Sequence, residues 1–148
     1  MPYLSLLQGA SLGEERSEVA EITVLIIDEH AGVRGLLARR LNATPPFRVV
    51  AHTGNPLLGT ELAWFWEPDI ILIDLKGMGR QSAGMYQRIA RASPASRLVV
   101  FTSYLLDGEE REYLTAGASK CLLKGISLKT LVDELLSLPQ TAVKALPR

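Results

Sequence analysis

The segment Glu67-Pro68-Asp69-Ile70-Ile71-Leu72-Ile73-Asp74-Leu75 constrains the fold of this chain more than any other stretch. Branched apolar residues run without alternation into a single carboxylate. A run of that kind, bounded by Pro and Gly, reads as a strand buried on both faces, and such strands belong to parallel sheets covered by helices. Asp74 falls where the strand runs out, and in open α/β sheets ligands bind at the carboxyl ends of strands. An acid in that position is a site residue or a helix cap.

The chain repeats the same grammar. Residues 21–28 give Ile22-Thr23-Val24-Leu25-Ile26-Ile27, again ending in acid, Asp28-Glu29. Residues 31–41 place Val33, Leu36, Leu37 and Leu41 at helical spacing, with Arg34, Arg39 and Arg40 off that face, and Pro45-Pro46 stops the helix. A short strand over 47–52 leads to Gly54-Asn55-Pro56 and a helix carrying Leu58, Leu62 and Phe65 as its apolar stripe. Trp64 and Trp66 read as one core and one partly exposed aromatic. After the Asp74 strand, Gly77, Gly79 and Gly84 predict a pliable loop, then a modest helix over 85–91. A fourth strand over 98–102 ends in Thr102. Asp107 with Glu110 resembles a capping box for a short helix reaching Ala116 and ended by Gly117. A fifth strand over 120–123 runs into Lys124. Ser127 caps a last helix whose Leu128, Leu131, Val132, Leu135 and Leu136 form one stripe. Five strand-then-helix repeats predict an α/β domain with a parallel sheet.

With 148 residues the chain is long enough for one sizeable core. A formal net charge of zero gives no general electrostatic reason to bind nucleic acid or an anionic membrane. The single cysteine, Cys121, excludes an internal disulfide and suits a reducing compartment. No stretch has the length of a membrane span, and residues 1–20 lack the basic start and long apolar run of a secretory signal. The expected organisation is an N-terminal extension over 1–20, a folded domain over 21–138 and a C-terminal tail over 139–148. The extension, with its patch of Tyr3, Leu4, Leu6 and Leu7, reads as a loose tail; the alternative is a short helix docked on the domain or a neighbour.

The strand ends carry the chemistry. Strand one supplies Asp28 and Glu29, strand three Asp74, strand four Thr102 and strand five Lys124, while strand two, with His52 and Thr53, adds nothing obvious. Each alone is a cap or a solvated side chain; together they converge on one rim of a parallel sheet. Three clustered carboxylates repel unless a cation lies among them. Oxygen ligands on an open rim suit Mg²⁺, which keeps several waters and pairs carboxylates with phosphate. A carboxylate such as Asp74 can attack phosphorus to give an acyl phosphate, and the Thr102 hydroxyl and Lys124 ammonium can neutralise phosphoryl oxygens. His30 and His52, without cysteine or histidine partners at metal-binding spacing, read as surface residues.

These motifs resemble the receiver domain of two-component response regulators. The resemblance rests on Val24-Leu25-Ile26-Ile27-Asp28-Glu29-His30, Asp69-Ile70-Ile71-Leu72-Ile73-Asp74, Val99-Val100-Phe101-Thr102-Ser103 and Ala116-Gly117-Ala118-Ser119-Lys120-Cys121-Leu122-Leu123-Lys124-Gly125, and spans 21–138. The last motif is most similar to receivers that precede helix-turn-helix domains. The resemblance implies a flavodoxin-like three-layer sandwich, a five-stranded parallel sheet in the order 2-1-3-4-5 with helices on both faces. It implies that Asp74 accepts a phosphoryl group from a sensor histidine kinase or phosphotransfer protein, and that Thr102 and Lys124 contact that group. Asp28, Glu29, Asp74 and the Lys76 backbone carbonyl would hold Mg²⁺. A cytoplasmic protein follows, one that promotes only its own phosphorylation and dephosphorylation, with a homodimer through the face of strands four and five as one output.

The chain departs from the family pattern in three places. Cys121 stands three residues before Lys124, where the family usually has an aromatic; Met78 replaces a common proline; and the loop over 79–83 reads about two residues long. The alternatives are a receiver fold used as a phosphorylation-independent binding or dimerisation module, and an aspartyl-phosphate phosphohydrolase of the haloacid-dehalogenase type. That last class places its nucleophile after the first strand in an Asp-x-Asp pattern, whereas the first strand here gives Asp28-Glu29-His30. The residues after the last helix are too few for a DNA-binding module, so no DNA binding is expected of this chain.

Overall fold

A computed structural model describes residues 20–139. The extension and tail expected at 1–20 and 139–148 lie outside the described residues, apart from Ala20 and Pro139. Strands β1 (Ile22–Asp28), β2 (Phe47–Thr53), β3 (Ile70–Asp74), β4 (Arg97–Thr102) and β5 (Lys120–Leu123) form one sheet in the order β2-β1-β3-β4-β5. Every pairing is parallel. Between them run α1 (Ala31–Asn42), α2 (Pro56–Trp66), a 3₁₀ helix (Lys76–Gln81) leading into α3 (Ser82–Ala92), and α4 (Glu109–Thr115), with α5 (Leu128–Leu136) last. This is the flavodoxin-like order that the sequence implies.

Burial follows position in the sheet. All five residues of β3 are buried, and β1 and β4 are buried over their last five, which is why these strands lack polar alternation. The edge strands β2 and β5 are mostly half-buried or exposed. Side chains alternate between two faces, as strand geometry requires. Val24, Ile26, Leu72 and Val99 pack with Leu37 and Leu41 of α1 and Leu131 and Leu135 of α5. Leu25, Ile27, Ile73 and Val100 pack with Ala63 of α2, Tyr86 and Ile89 of α3, and Tyr113 of α4.

Four local expectations need correction. On α1, Leu37 and Leu41 are buried but Val33 and Leu36 are exposed. On α2, Phe65 and Leu58 are exposed, and so are both tryptophans. The helix instead turns Gly59 and Ala63 to the sheet. At Gly59 it comes so close that a Cβ there would stand 2.6 Å from Ile27 Cδ1, so only a small residue fits and the large side chains are turned outward. The loop expected after Asp74 is the 3₁₀ helix, kinked at Gly79, and Gly84 lies inside α3. Finally, Asp107 caps nothing. The N-cap of α4 is Gly108, at φ 85°, and the Glu109 carboxylate turns back to accept the Leu106 N–H at 2.6 Å. A positive φ favours glycine, which moves the helix start one residue past the expected cap. Among the described residues, no helix is long and apolar enough to cross a membrane.

Candidate phosphoryl site

The register of the two central strands makes the site. Asp28 and Asp74 are direct partners across β1 and β3, and both are nearly buried, at 4% and 6% exposure. Each uses Oδ1 to accept the backbone N–H two residues on: His30 for Asp28, at 2.9 Å, and Lys76 for Asp74, at 3.0 Å. Such turns suit Asp and fix the carboxylate at the strand end. Each Oδ2 meets the Lys124 ammonium, at 2.6 Å from Asp28 and 2.9 Å from Asp74. Lys124 is set by its own N–H, which donates to the Thr102 carbonyl at 2.8 Å. Burial works against the charge on Lys124, but the bonds to Asp28 and Asp74 outweigh it and hold the ammonium above the ordinary lysine value. Two adjacent carboxylates thus share one internal cation.

Thr102 is fully buried, and its hydroxyl has no partner among the described residues. An unmade buried hydrogen bond is costly, which sets this hydroxyl apart at the end of β4, the strand paired with the one that carries Asp74. Glu29 is exposed, and its carboxylate lies over Gly77; a Cβ at Gly77 would overlap it. The ligand atoms that fall within 4.8 Å of one another are those of Asp28, His30 and Asp74. His30 is exposed, as expected, yet its Nδ1 lies 3.0 Å from Asp28 Oδ1, a contact not expected from the sequence. The hard oxygen donors of the paired aspartates, with the exposed Glu29 carboxylate next to Asp28 in the chain, fit a Mg²⁺ ion.

Supporting residues that sequence reasoning missed come from the helices. Tyr86 is fully buried on α3, and its hydroxyl oxygen accepts the Leu75 N–H at 3.1 Å, tying down the residue after Asp74. Its ring lies 4.9 Å from that of Tyr113, and burial pushes both phenols well above the ordinary value. Tyr86→Phe leaves the buried Leu75 N–H unpaired and is expected to cost about 1–3 kcal/mol. Urea denaturation should show a lower midpoint with an unchanged slope. Strand two, from which nothing obvious is expected, is also tied in: Arg34 donates from Nε to His52 Nδ1 at 3.1 Å and from Nη1 to the Asp28 carbonyl at 2.7 Å.

The Lys76 side chain turns from the carboxylates toward α4. Its ammonium bonds Glu109 at 2.5 Å and lies 4.0 Å above the Tyr104 ring. Glu109 also accepts from the Tyr113 hydroxyl at 3.1 Å. Burial opposes the charge on Glu109, but Lys76, the Leu106 N–H and Tyr113 outweigh it and hold the carboxyl below its ordinary value. A depressed carboxyl contributes stability above its unfolded pKa, and that contribution is lost as pH falls through the lower folded value. Glu109→Gln should therefore lose less stability than wild type on acidification from about pH 4.5 to pH 3, the window below the ordinary glutamate value. Chemical denaturation at each pH measures it. Cys121 is half-buried against the core, and burial, with Glu110 nearby, pushes its thiol up to about 11. It is a neutral packing residue at neutral pH.

A parallel 2-1-3-4-5 sheet whose central strands end in paired aspartates bridged by a lysine defines a class of signalling domain. The family model for the response regulator receiver domain matches residues 24–136, and the chain belongs to that family. It is 33% identical over 112 residues to the transcriptional regulatory protein LiaR of Bacillus subtilis, covering 76% of this chain and 53% of that protein. It is 31% identical over 116 residues to the nitrate/nitrite response regulator protein NarL of Escherichia coli, covering 76% of this chain and 52% of that protein. The chain spans about half the length of these curated relatives. Among solved structures, the response regulator domain of Thermotoga maritima CheB superposes with a TM-score of 0.65 at 27% identity, covering 78% of this chain and 91% of that chain. Membership of the receiver family, rather than of the haloacid-dehalogenase class, is what the match shows for this domain.

Proposed function

We propose that Asp74 accepts a phosphoryl group from a phosphohistidine on a sensor kinase or phosphotransfer protein, in a Mg²⁺-dependent reaction in the cytoplasm, and that the phosphorylated domain signals to a partner or output domain. The observation that carries this reading is the Asp28–Lys124–Asp74 bridge beside the orphaned Thr102 hydroxyl. Asp28, Asp74, Glu29 and the Lys76 carbonyl would hold the ion, which supplies charge neutralisation on the phosphoryl oxygens. An Asp74 oxygen attacks phosphorus in line with the departing imidazole nitrogen; the P–O bond forms as the P–N bond breaks, and the imidazole leaves. Lys124, already poised at Asp74, neutralises one phosphoryl oxygen, and the Thr102 hydroxyl donates to another.

The same contacts suggest how the phosphoryl group is read. Lys76 stands two residues past Asp74 and is held by Glu109 and Tyr104. New negative charge on Asp74 competes for that ammonium and loosens its hold on α4. A two-state response requires such a differential interaction. Dimerisation through the face of β4 and β5 is one output of that shift. Beryllofluoride with Mg²⁺ should move NMR signals of residues 102–109 more than those of 119–123, and Asp74→Asn should abolish the effect. Tyr104→Ala should shrink the response while Cys121→Ala leaves it nearly intact. A response that survives Tyr104→Ala and vanishes with Cys121→Ala would place the switch on β5 instead.

A further inference from the structure

Among the described residues, five of the exposed large apolar side chains lie on one helix. On α2, Leu57, Leu58, Trp64, Phe65 and Trp66 are 55%, 44%, 71%, 68% and 41% exposed. A surface helix ordinarily presents polar residues outward; this one carries a single charged residue, Glu61, in its eleven. Leu57, Leu58, Glu61, Trp64 and Phe65 share one outward stripe, turned away from the Gly59 and Ala63 that meet the sheet. Trp66 closes that stripe by meeting Phe65 edge to face at 5.3 Å. Leu58, Leu62, Trp64 and Phe65 line an open groove of about 560 Å³ that reaches Ala92 at the end of α3. The face thus carries both halves of a contact, an aromatic ridge and the groove beside it.

We propose that this face is the interface of a two-fold symmetric homodimer, in which α2 packs antiparallel against α2 of a second copy, independently of Asp74. The area argues for it. At roughly 150–250 Å² per aromatic side chain, the three aromatics and two leucines together expose on the order of 500 Å². Two such faces paired about an axis remove on the order of 1,000 Å² of apolar surface, close to the roughly 1,200 Å² at which stable interfaces begin. The flanks of the groove, Thr60, Leu62 and Ala92, add to it. A two-fold contact is self-complementary, so each ridge enters the other copy's groove and both are covered at once. The one charge fits the same geometry. Glu61 lies one turn before Trp64 and Phe65, so a crossing centred on the aromatic turn sets the two carboxylates about 10 Å apart along the helices. A foreign partner recognised by charge would find a single carboxylate to bind. Because α2 runs back from the carboxyl end of β2 to the start of β3, its aromatic turn lies at the end of the sheet opposite Asp28 and Asp74. The interface therefore leaves the candidate phosphoryl site open and is separate from the face of β4 and β5.

Sedimentation equilibrium of the full chain, from micromolar to submillimolar concentration, should reach a mass twice the 16.2 kDa of one copy, and Asp74→Asn should do the same. Trp64→Ser combined with Phe65→Ser should halve that mass. Both side chains are exposed, so the variant keeps its fold; the urea midpoint of wild type should rise with protein concentration, and that of the variant should not. A nitroxide on Arg91→Cys, an exposed position beside Ala92, in a Cys121→Ser background, should broaden the amide signals of residues 57–66 in an isotope-enriched copy that carries no label. A wild-type chain that stays monomeric throughout would overturn the proposal and leave the face to a foreign partner. A dimer that survives the double substitution, one lost in Asp74→Asn, or broadening between copies confined to residues 97–123 would overturn it as well.

Discussion

Lys124→Ala is expected to lower stability by about 3 kcal/mol in metal-free buffer, because removing one partner of a buried ion pair leaves its charges uncompensated. The loss is large because two charges are stranded: the Asp28 and Asp74 carboxylates face each other at the strand ends, with little solvent around them. The reverse effect is expected for metal. The ammonium now occupies the space between the two Oδ2 atoms, so its removal should tighten Mg²⁺ binding and let Mg²⁺ restore much of the lost stability. At the same time the variant should lose its response to beryllofluoride, since no ammonium remains for the phosphoryl oxygens. Urea denaturation with EDTA and with Mg²⁺ separates the two effects. Equal stability of wild type and variant in EDTA would show that the bridge contributes nothing to the fold.

Ile73→Ala is the most damaging single truncation expected, at about 3–5 kcal/mol, near the top of the range for large-to-small core changes. Ile73 is 1% exposed on the central strand, directly paired in register with Ile27 and Val100 and packed in the cluster that holds Tyr86. Neither neighbouring strand can move inward to fill the cavity without disturbing the Asp28–Asp74 register. A truncation one carbon smaller on the edge strand, Val49→Ala, should cost only about 1 kcal/mol, since Val49 is half-buried and loses less apolar contact. The contrast is measurable by denaturation of both variants under identical conditions. Similar costs at the two positions would contradict the account of β3 as the centre of the core.

What the sequence disclosed and what it hid divide along a physical line. Asp28, Asp74, Thr102 and Lys124 were legible because each ends a strand, and a parallel register brings strand ends together whatever the side-chain details. Strands β1, β3 and β4 were legible because burial on both faces removes polar alternation. The face of α2 was not, because its apolar residues lie all round the helix. The close approach at Gly59, a property of the packed pair, decides which of them are buried. The clearance that Gly77 gives Glu29, the Tyr86 bond to Leu75 and the Arg34 bridge between β1 and β2 are likewise contacts between elements. His30 carries a local signal in the sequence: an Asp at a strand end accepts the N–H two residues on, which brings the next-but-one side chain over the carboxylate.

Intact-mass measurement of the full chain with acetyl phosphate decides whether Asp74 is the phosphoryl acceptor. With Mg²⁺ present, wild type should gain the mass of a single phosphoryl group, fragmentation should place it on Asp74, and EDTA or Asp74→Asn should abolish it. A stable adduct of the same mass on Asp74→Asn, or one formed equally well in EDTA, would contradict the account.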